Sequence, residues 1–188
     1  MAVKSNLFSR IKNDRQKINL PNLLTLSRMM ILTPLVLFFL IEARPVMAGI
    51  FFILASLTDL LDGYLARKWD QVSVTGKILD PVSDKVLVLS PLLILGIDYD
   101  LPWVIVITIF LREFIVSFGR ELLENRENLR ASVSVSYLGK IKTWVQCVAI
   151  SYTIFQLPFS LWLMWIAVFF TVVSGFDYFV KYRLAVKK

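Results

Sequence analysis

The chain has 188 residues, of which 57% are apolar and only 19% are charged. Ordinary soluble domains are about 45–50% apolar, and a soluble fold of this length could not bury so much apolar surface. This composition excludes a soluble globular domain and a disordered chain, and it leaves an integral membrane protein. With no histidine and one cysteine, a zinc, haem or iron–sulfur site is not expected.

Six apolar segments follow one another along the chain, each near the roughly 20 residues that a helix needs to cross the hydrocarbon core. They are predicted at Leu23–Ile41, Pro45–Leu65, Ile78–Ile97, Leu101–Leu122, Val135–Leu157 and Phe159–Phe179. Turn-forming or polar residues separate them at 42–45, 98–102 and 156–158. The sequence therefore predicts an all-α integral membrane protein whose residues 21–188 form one domain of six transmembrane helices.

The positive charges predict the orientation of these spans. If the six spans alternate in direction, every lysine and arginine except Arg44 falls on one side of the membrane. The positive-inside rule places that side, with both termini, in the cytoplasm. The net charge of +7 is then explained by the orientation of the spans and by contact with anionic lipid. No nucleic-acid partner is expected.

Residues 1–20 form a basic segment that precedes the first span. Leu7, Phe8, Ile11 and Ile18 can share one face of a helix, which predicts a short interfacial helix on the cytoplasmic side. The alternative is a solvated basic tail that only sets the topology.

Four aspartates lie at or just inside the ends of the second and third predicted spans. Asp59 and Asp62 share one helical face at a spacing of three, and Asp80 and Asp84 share another at a spacing of four. An ionisable residue in a span costs at least about 2.5 kcal/mol on insertion scales, so these positions point to function. Converging carboxylates repel unless cations bind between them or some are protonated, and oxygen ligands favour one or two Mg²⁺ or Mn²⁺ ions. Ion-paired packing residues or a proton relay are the alternatives.

Small residues and one arginine lie on the same two helical faces. Gly63, Ala66 and Gly76 would allow a neighbouring helix, or a bulky ligand such as a nucleotide, to approach closely. Arg67 lies about one turn beyond Asp62, at the cytoplasmic edge, where it can contact a phosphate.

A second group of charges lies in and after the fourth predicted span and at the start of the fifth. Arg112 and Glu113 fall within an apolar run, so both need partners, either each other across helices or a ligand. The cations of these segments can form a pocket for a ligand that carries its own phosphate, such as glycerol 3-phosphate. They are Arg112, Arg120, Lys140 and Lys142. The alternative is that they only enforce the topology.

The residues from Asp59 to Asp84 form the pattern Asp-x2-Asp-Gly-x2-Ala-Arg-x8-Gly-x3-Asp-x3-Asp. This pattern resembles the signature of the CDP-alcohol phosphotransferase family, with every signature position filled. The resemblance implies a six-helix membrane domain, a homodimer and a site that faces the cytoplasm. It implies that divalent metal binds to Asp59, Asp62, Asp80 and Asp84, and that the cytidine diphosphate group lies against Gly63, Ala66, Arg67 and Gly76. It also gives Asp84 a second role, as the catalytic base that takes the proton from the hydroxyl of the alcohol to which the family transfers its phosphate-linked group.

Three further segments resemble the bacterial members of this family that use glycerol 3-phosphate. They are Asn22-x2-Thr25-x2-Arg28 with Pro34, Arg112-Glu113-x6-Arg120, and the stretch from Leu138 to Gln146. Asn22 and Thr25 are expected to contact the nucleotide, with a helix N-cap as the alternative for Asn22. The expected reaction joins CDP-diacylglycerol to glycerol 3-phosphate in a bacterial inner membrane, giving phosphatidylglycerol phosphate and CMP.

Other functions are compatible with parts of this pattern. Within the family, the acceptor alcohol could instead be inositol phosphate, serine or phosphatidylglycerol, although the single carboxylate of serine needs fewer cations. Outside it, a transporter could use the carboxylates as ion or proton sites. The six segments show no inverted repeat, and the aspartates cluster towards the cytoplasmic end rather than the centre, which favours the enzyme.

Overall fold

The computed structural model describes residues 20–68, 74–124 and 137–186; for 20–22, 60–68, 74–81, 120–124 and 184–186 it describes the backbone only. The helices are α1 (Leu20–Ser27), α2 (Thr33–Ile41), α3 (Pro45–Lys68), α4 (Val74–Asp98), α5 (Trp103–Glu124), α6 (Tyr137–Ile154) and α7 (Ser160–Val186). A π-helical turn, Arg28–Leu32, joins α1 directly to α2, so the described residues form six helical rods without a strand. The all-α prediction is confirmed.

The three predicted helix breaks are also confirmed. Connections with a residue of positive φ follow α2, α4 and α6, at Ala43 (51°), Asp100 (53°) and Gln156 (54°). Two helices continue beyond the predicted apolar segments, α3 to Lys68 and α7 to Val186, whereas α6 ends at Ile154, before the predicted end at Leu157. The predicted interfacial helix falls, apart from its last residue, outside the described part of the chain.

The π-helical turn of the first rod precedes a proline. The amide of Thr33 donates to the carbonyl of Arg28, five residues earlier, and Pro34 has no amide hydrogen to continue the ordinary helical pattern. Single π-helical turns are frequent at functional sites. Here the turn begins at Arg28, whose side chain is fully buried.

The chain divides into two compact units, Met1–Pro91 and Leu92–Lys188. In the first unit, α3 packs against α1 and α2. Phe39 stacks on Phe51 across α2 and α3, with ring centroids 5.3 Å apart and planes 4° apart. The core of this unit includes Val36, Leu40, Ala48, Phe52 and Ala55.

In the second unit, α7 packs against both α5 and α6. Gln146 of α6 donates from Nε2 to Oγ1 of Thr171 on α7 at 2.9 Å, and both side chains are buried. The core includes Leu95, Ile105, Ile109, Ile150, Ile154, Met164 and Ala167. Apolar packing and a buried polar contact therefore both join α6 to α7.

The distribution of polar and apolar side chains suits a lipid environment. Large apolar side chains are widely exposed, for example Trp162 to 72% and Met30 to 68%. Soluble proteins rarely expose large apolar surfaces of this kind. Among the residues whose side chains the structure describes, Leu23–Ile41 and Ser160–Arg183 are long and apolar enough to cross a membrane, and the described stretch of α3, Pro45–Asp59, is apolar as well. These features indicate a membrane protein.

Candidate active site

A buried arginine joins three helices in the first unit. Arg28 Nε donates to Oγ of Ser83 at 3.1 Å, and Nη1 donates to Oδ1 of Asp59. Its Nη2 lies 3.4 Å from Oδ1 of Asp84. We call these four residues the Arg28 cluster; it brings the first rod into contact with α3 and α4.

The Arg28 cluster is sealed on one side and open on the other. Arg28 is 0% exposed, whereas the side chains of Asp59 and Asp84 are 36% and 53% exposed. Burying a guanidinium is costly unless charged and polar groups surround it; here Ser83 and Asp59 accept hydrogen bonds, and Asp84 adds an ion pair. One positive and two negative charges leave the cluster with a net negative charge, which attracts a further cation.

Two of the four predicted metal ligands are therefore brought together. Asp59 of α3 and Asp84 of α4 approach the same guanidinium, so their carboxylates converge as the helical spacing predicted. Asp62 and Asp80 lie on the same two helices, and their side chains are outside the described part of the structure.

The described residues fit a divalent metal in their chemistry. Partly exposed carboxylate oxygens with residual negative charge are the ligands that Mg²⁺ and Mn²⁺ prefer. Asp59 and Asp84 supply two such groups, and no third His, Cys, Asp or Glu side chain among the described residues completes a metal-binding group. Further protein ligands would have to come from the aspartates whose side chains are not described.

The predicted nucleotide-binding residues are described only in part. Thr25 is buried on α1, about one turn before Arg28, and is 2% exposed. The other predicted positions lie in α1, α3 and α4, with side chains outside the described structure. They are Asn22, Gly63, Ala66, Arg67 and Gly76.

A second charged cluster joins the three long helices of the second unit. Glu113 of α5 accepts a hydrogen bond from Nζ of Lys142 on α6. Arg112 Nη1 lies 3.3 Å and 3.4 Å from the two carboxylate oxygens of Glu113, and Nη2 donates to Oγ of Ser174 on α7. We call these four residues the Glu113 cluster.

The Glu113 cluster lies mostly inside the protein. The exposed fractions of the side chains are 13% for Arg112, 15% for Glu113 and 5% for Lys142. Two cations and one carboxylate leave a net positive charge, so the cluster attracts an anion. The expectation that Arg112 and Glu113 need partners is confirmed, and the partners are protein side chains on three helices.

The four predicted acceptor-binding cations do not all meet in the described structure. Arg112 and Lys142 meet at Glu113, but Lys140 is exposed and has no ion pair among the described residues. Two residues apart on a helix means about 200° around its axis, so Lys140 and Lys142 leave α6 on different faces. Arg120 lies on α5, and its side chain is outside the described structure.

Four residues of these clusters were not predicted as site residues, namely Arg28, Ser83, Glu113 and Ser174; for Glu113 the sequence indicated only the need for a partner. Arg28 entered the sequence argument only as a topology charge and as part of a resemblance, although an arginine in an apolar run already indicates a buried partner. Ser83 and Ser174 carry no signal of their own, because a serine in a helix commonly bonds to its own backbone.

A comparison with known protein families matches most of this chain to one family. The sequence profile of the CDP-alcohol phosphatidyltransferase family matches residues 18–173. This range contains the whole Arg28 cluster and, from the Glu113 cluster, Arg112, Glu113 and Lys142.

Several bacterial proteins named CDP-diacylglycerol–glycerol-3-phosphate 3-phosphatidyltransferase are similar to the chain. The one from Bacillus subtilis is 41% identical over 192 residues, covering 90% of this chain and 97% of the relative. The one from Rickettsia felis is 38% identical over 173 residues, covering 86% and 93%. The one from Escherichia coli K12 is 38% identical over 151 residues, covering 78% and 77%.

Proposed function

The chain belongs to the CDP-alcohol phosphatidyltransferase family, and from that premise we infer that it transfers a phosphatidyl group from CDP-diacylglycerol to glycerol 3-phosphate. The products are phosphatidylglycerol phosphate and CMP, which makes the chain a transferase of phospholipid synthesis. The observation that carries this conclusion is identity of 38–41% with relatives of that name over most of the chain.

The proposed reaction is a substitution at phosphorus. The primary hydroxyl oxygen of glycerol 3-phosphate attacks the lipid-linked phosphorus of CDP-diacylglycerol, and the bond from that phosphorus to the bridging oxygen breaks. CMP leaves with that oxygen and its electron pair. Asp84 takes the hydroxyl proton as general base, a role that the family resemblance gives it and that suits a carboxylate in a chain without histidine.

Asp59, Asp62, Asp80 and Asp84 are proposed to hold one or two Mg²⁺ or Mn²⁺ ions, which when bound neutralise the diphosphate and the CMP leaving group. The convergence of Asp59 and Asp84 and the negative charge of the Arg28 cluster support this assignment. The nucleotide is proposed to lie beside them. Its contacts are assigned to Asn22, Thr25, Gly63, Ala66, Arg67 and Gly76.

The acceptor's phosphate is proposed to bind the cations of the second unit. The Glu113 cluster retains a positive charge, and its guanidinium and ammonium groups suit a phosphate dianion. Arg120 and Lys140 are proposed to add to this attraction from outside the cluster. An acceptor without a phosphate, such as serine, would not need these cations.

The enzyme is proposed to span the bacterial inner membrane six times, with its site and both termini in the cytoplasm. The distribution of lysine and arginine supports this orientation. The exposed apolar helix surfaces support contact with lipid, from which CDP-diacylglycerol would enter sideways between helices. A homodimer is proposed from the family resemblance.

The reaction is tested by CMP release from purified full-length protein in detergent with CDP-diacylglycerol and Mg²⁺. Glycerol 3-phosphate, inositol phosphate, serine and phosphatidylglycerol are supplied one at a time. Release only with glycerol 3-phosphate, lost with EDTA and restored by added Mg²⁺ or Mn²⁺, is the expected result. Release with a different acceptor would contradict the proposed phosphate pocket and leave the aspartate assignment intact.

A further inference from the structure

Arg28 makes contacts that the proposed reaction does not use. It is the largest fully buried side chain among the described residues, and it enters a site whose other charged members are partly exposed. A charge at this depth is tolerated only when its partners are fixed, so the contacts of Arg28 constrain those partners in turn.

Arg28 makes two hydrogen bonds and one ion pair within the Arg28 cluster. Arg28 reaches Oδ1 of Asp59 through Nη1 and lies 3.4 Å from Oδ1 of Asp84 through Nη2. Because Arg28 is sealed from solvent and both carboxylates are partly exposed, the guanidinium contacts them from the buried side. The open side of the carboxylates is where a cation from solvent would approach.

A third contact fixes the guanidinium itself. Nε donates to Oγ of Ser83, which is 1% exposed and directly precedes Asp84 on α4. With Nε held by Ser83, the planar group cannot rotate without losing its aspartate contacts. A lysine at this position would keep the charge but could not make both hydrogen bonds and the ion pair from one planar group.

We propose that Arg28, held by Ser83, is the positioning residue of the metal site, and that it orients Asp59 and Asp84 towards a shared divalent cation. Metal-ligating carboxylates are generally oriented by such hydrogen-bonding partners, and loss of a partner typically weakens metal binding by about 10- to 100-fold. The inference rests on the proposed function, because it requires that the aspartates bind metal.

The test is direct binding of Mn²⁺ to purified full-length protein in detergent, measured without either substrate by electron paramagnetic resonance of the free ion. Arg28→Gln and Arg28→Lys are each expected to raise the dissociation constant by about 10- to 100-fold. If Arg28 only competed with the metal as a charge, Arg28→Gln would bind Mn²⁺ more tightly and Arg28→Lys would resemble the wild type. Either of those results would overturn the proposal.

Matched controls separate positioning from general damage. Arg44→Gln removes an exposed arginine of the same unit and is expected to leave Mn²⁺ binding unchanged. Ser83→Ala keeps the guanidinium but removes its hydrogen bond, and about fivefold weaker binding is expected. Ser90→Ala, which removes a serine bonded to the backbone of the same helix, is its control. If neither Arg28 variant folds, Ser83→Ala decides the proposal alone, and binding equal to the Ser90→Ala control overturns it.

Two further variants distinguish failure of this inference from failure of the proposed function. Asp59→Asn and Asp84→Asn are expected to lose Mn²⁺ binding. If both bind like the wild type, the metal assignment fails and the role of Arg28 fails with it. If both lose binding while the Arg28 and Ser83 variants keep it, only the positioning role is overturned.

Discussion

Glu113 of α5 and Lys142 of α6 form a hydrogen-bonded ion pair in the interior of the second unit. The same carboxylate lies within 3.4 Å of Arg112, so one acidic side chain faces both buried cations. The pair can stabilise the arrangement of α5 and α6, and it can also position the ammonium group of Lys142 to bind an anion. Kinetic and stability measurements separate these two roles.

Lys142→Met is expected to raise the KM for glycerol 3-phosphate by about 10- to 100-fold, the effect of losing one charge-assisted hydrogen bond. The KM for CDP-diacylglycerol should change by less than about twofold, because the proposed pocket contacts only the acceptor. Lys140→Met should have a smaller effect, since Lys140 leaves α6 on a different face. Lys181→Met removes a cation paired with Asp177 and serves as control. Equal rises in both KM values would argue against the pocket.

Glu113→Gln and Lys142→Met are each expected to lower the midpoint of thermal unfolding, because each removes one charge of a buried ion pair. The double variant should lose less than the sum of the two single variants, since the two effects are coupled within the pair, but Arg112 still lacks the carboxylate that it contacts. It should not recover the KM for glycerol 3-phosphate. Thermal unfolding in detergent and steady-state kinetics are measured on the same preparations. If the loss of midpoint in the double variant equals the sum of the losses in the two single variants, Glu113 and Lys142 are not coupled.

Gln146→Leu and Thr171→Val test the polar contact between α6 and α7. Their double-mutant cycle is expected to give a coupling free energy of about 0.6 kcal/mol, the average for hydrogen bonds between membrane helices. Equilibrium unfolding of the four proteins in mixed micelles measures it. A coupling free energy of zero would show that the 2.9 Å contact adds nothing to stability.

The six-span orientation is tested by cysteine labelling in cells, after Cys147 is replaced by serine. Cysteines at Ala43 and Asp100 should react with a membrane-impermeant reagent in intact cells. Cysteines at Asn128 and Lys187 should react only after permeabilisation, because the positive-inside rule places them in the cytoplasm. Labelling of the Asn128→Cys variant in intact cells would contradict the proposed topology.

Much of the fold follows from local patterns. The breaks after Ile41, Asp98 and Ile154 coincide with polar and turn-forming residues, so the three connections could be predicted without tertiary information. The four aspartates could be placed on two helical faces from their spacing alone, and the structure confirms the convergence of Asp59 and Asp84.

The contacts inside the clusters could not be predicted in the same way. Arg28 reaches Asp59 and Ser83 across 31 and 55 residues, and the spacing of charges along a sequence does not specify such pairs. The need of Glu113 for a partner was evident from the sequence, but its pairing with Lys142 depends on how α5 and α6 both pack against α7. Lys140 and Lys142 were predicted to share one pocket, although their spacing of two residues already places them about 200° apart on a helix.

Transfer of label to lipid tests the central claim most directly. Purified protein is incubated in detergent with Mg²⁺, CDP-diacylglycerol and radiolabelled glycerol 3-phosphate, and lipid-extracted label and CMP are measured together. The account predicts equal amounts of both, abolished in Asp84→Asn and retained in Asp98→Asn, which changes an exposed aspartate at the end of the same helix. CMP release without label in the lipid, or full transfer by Asp84→Asn, would contradict it.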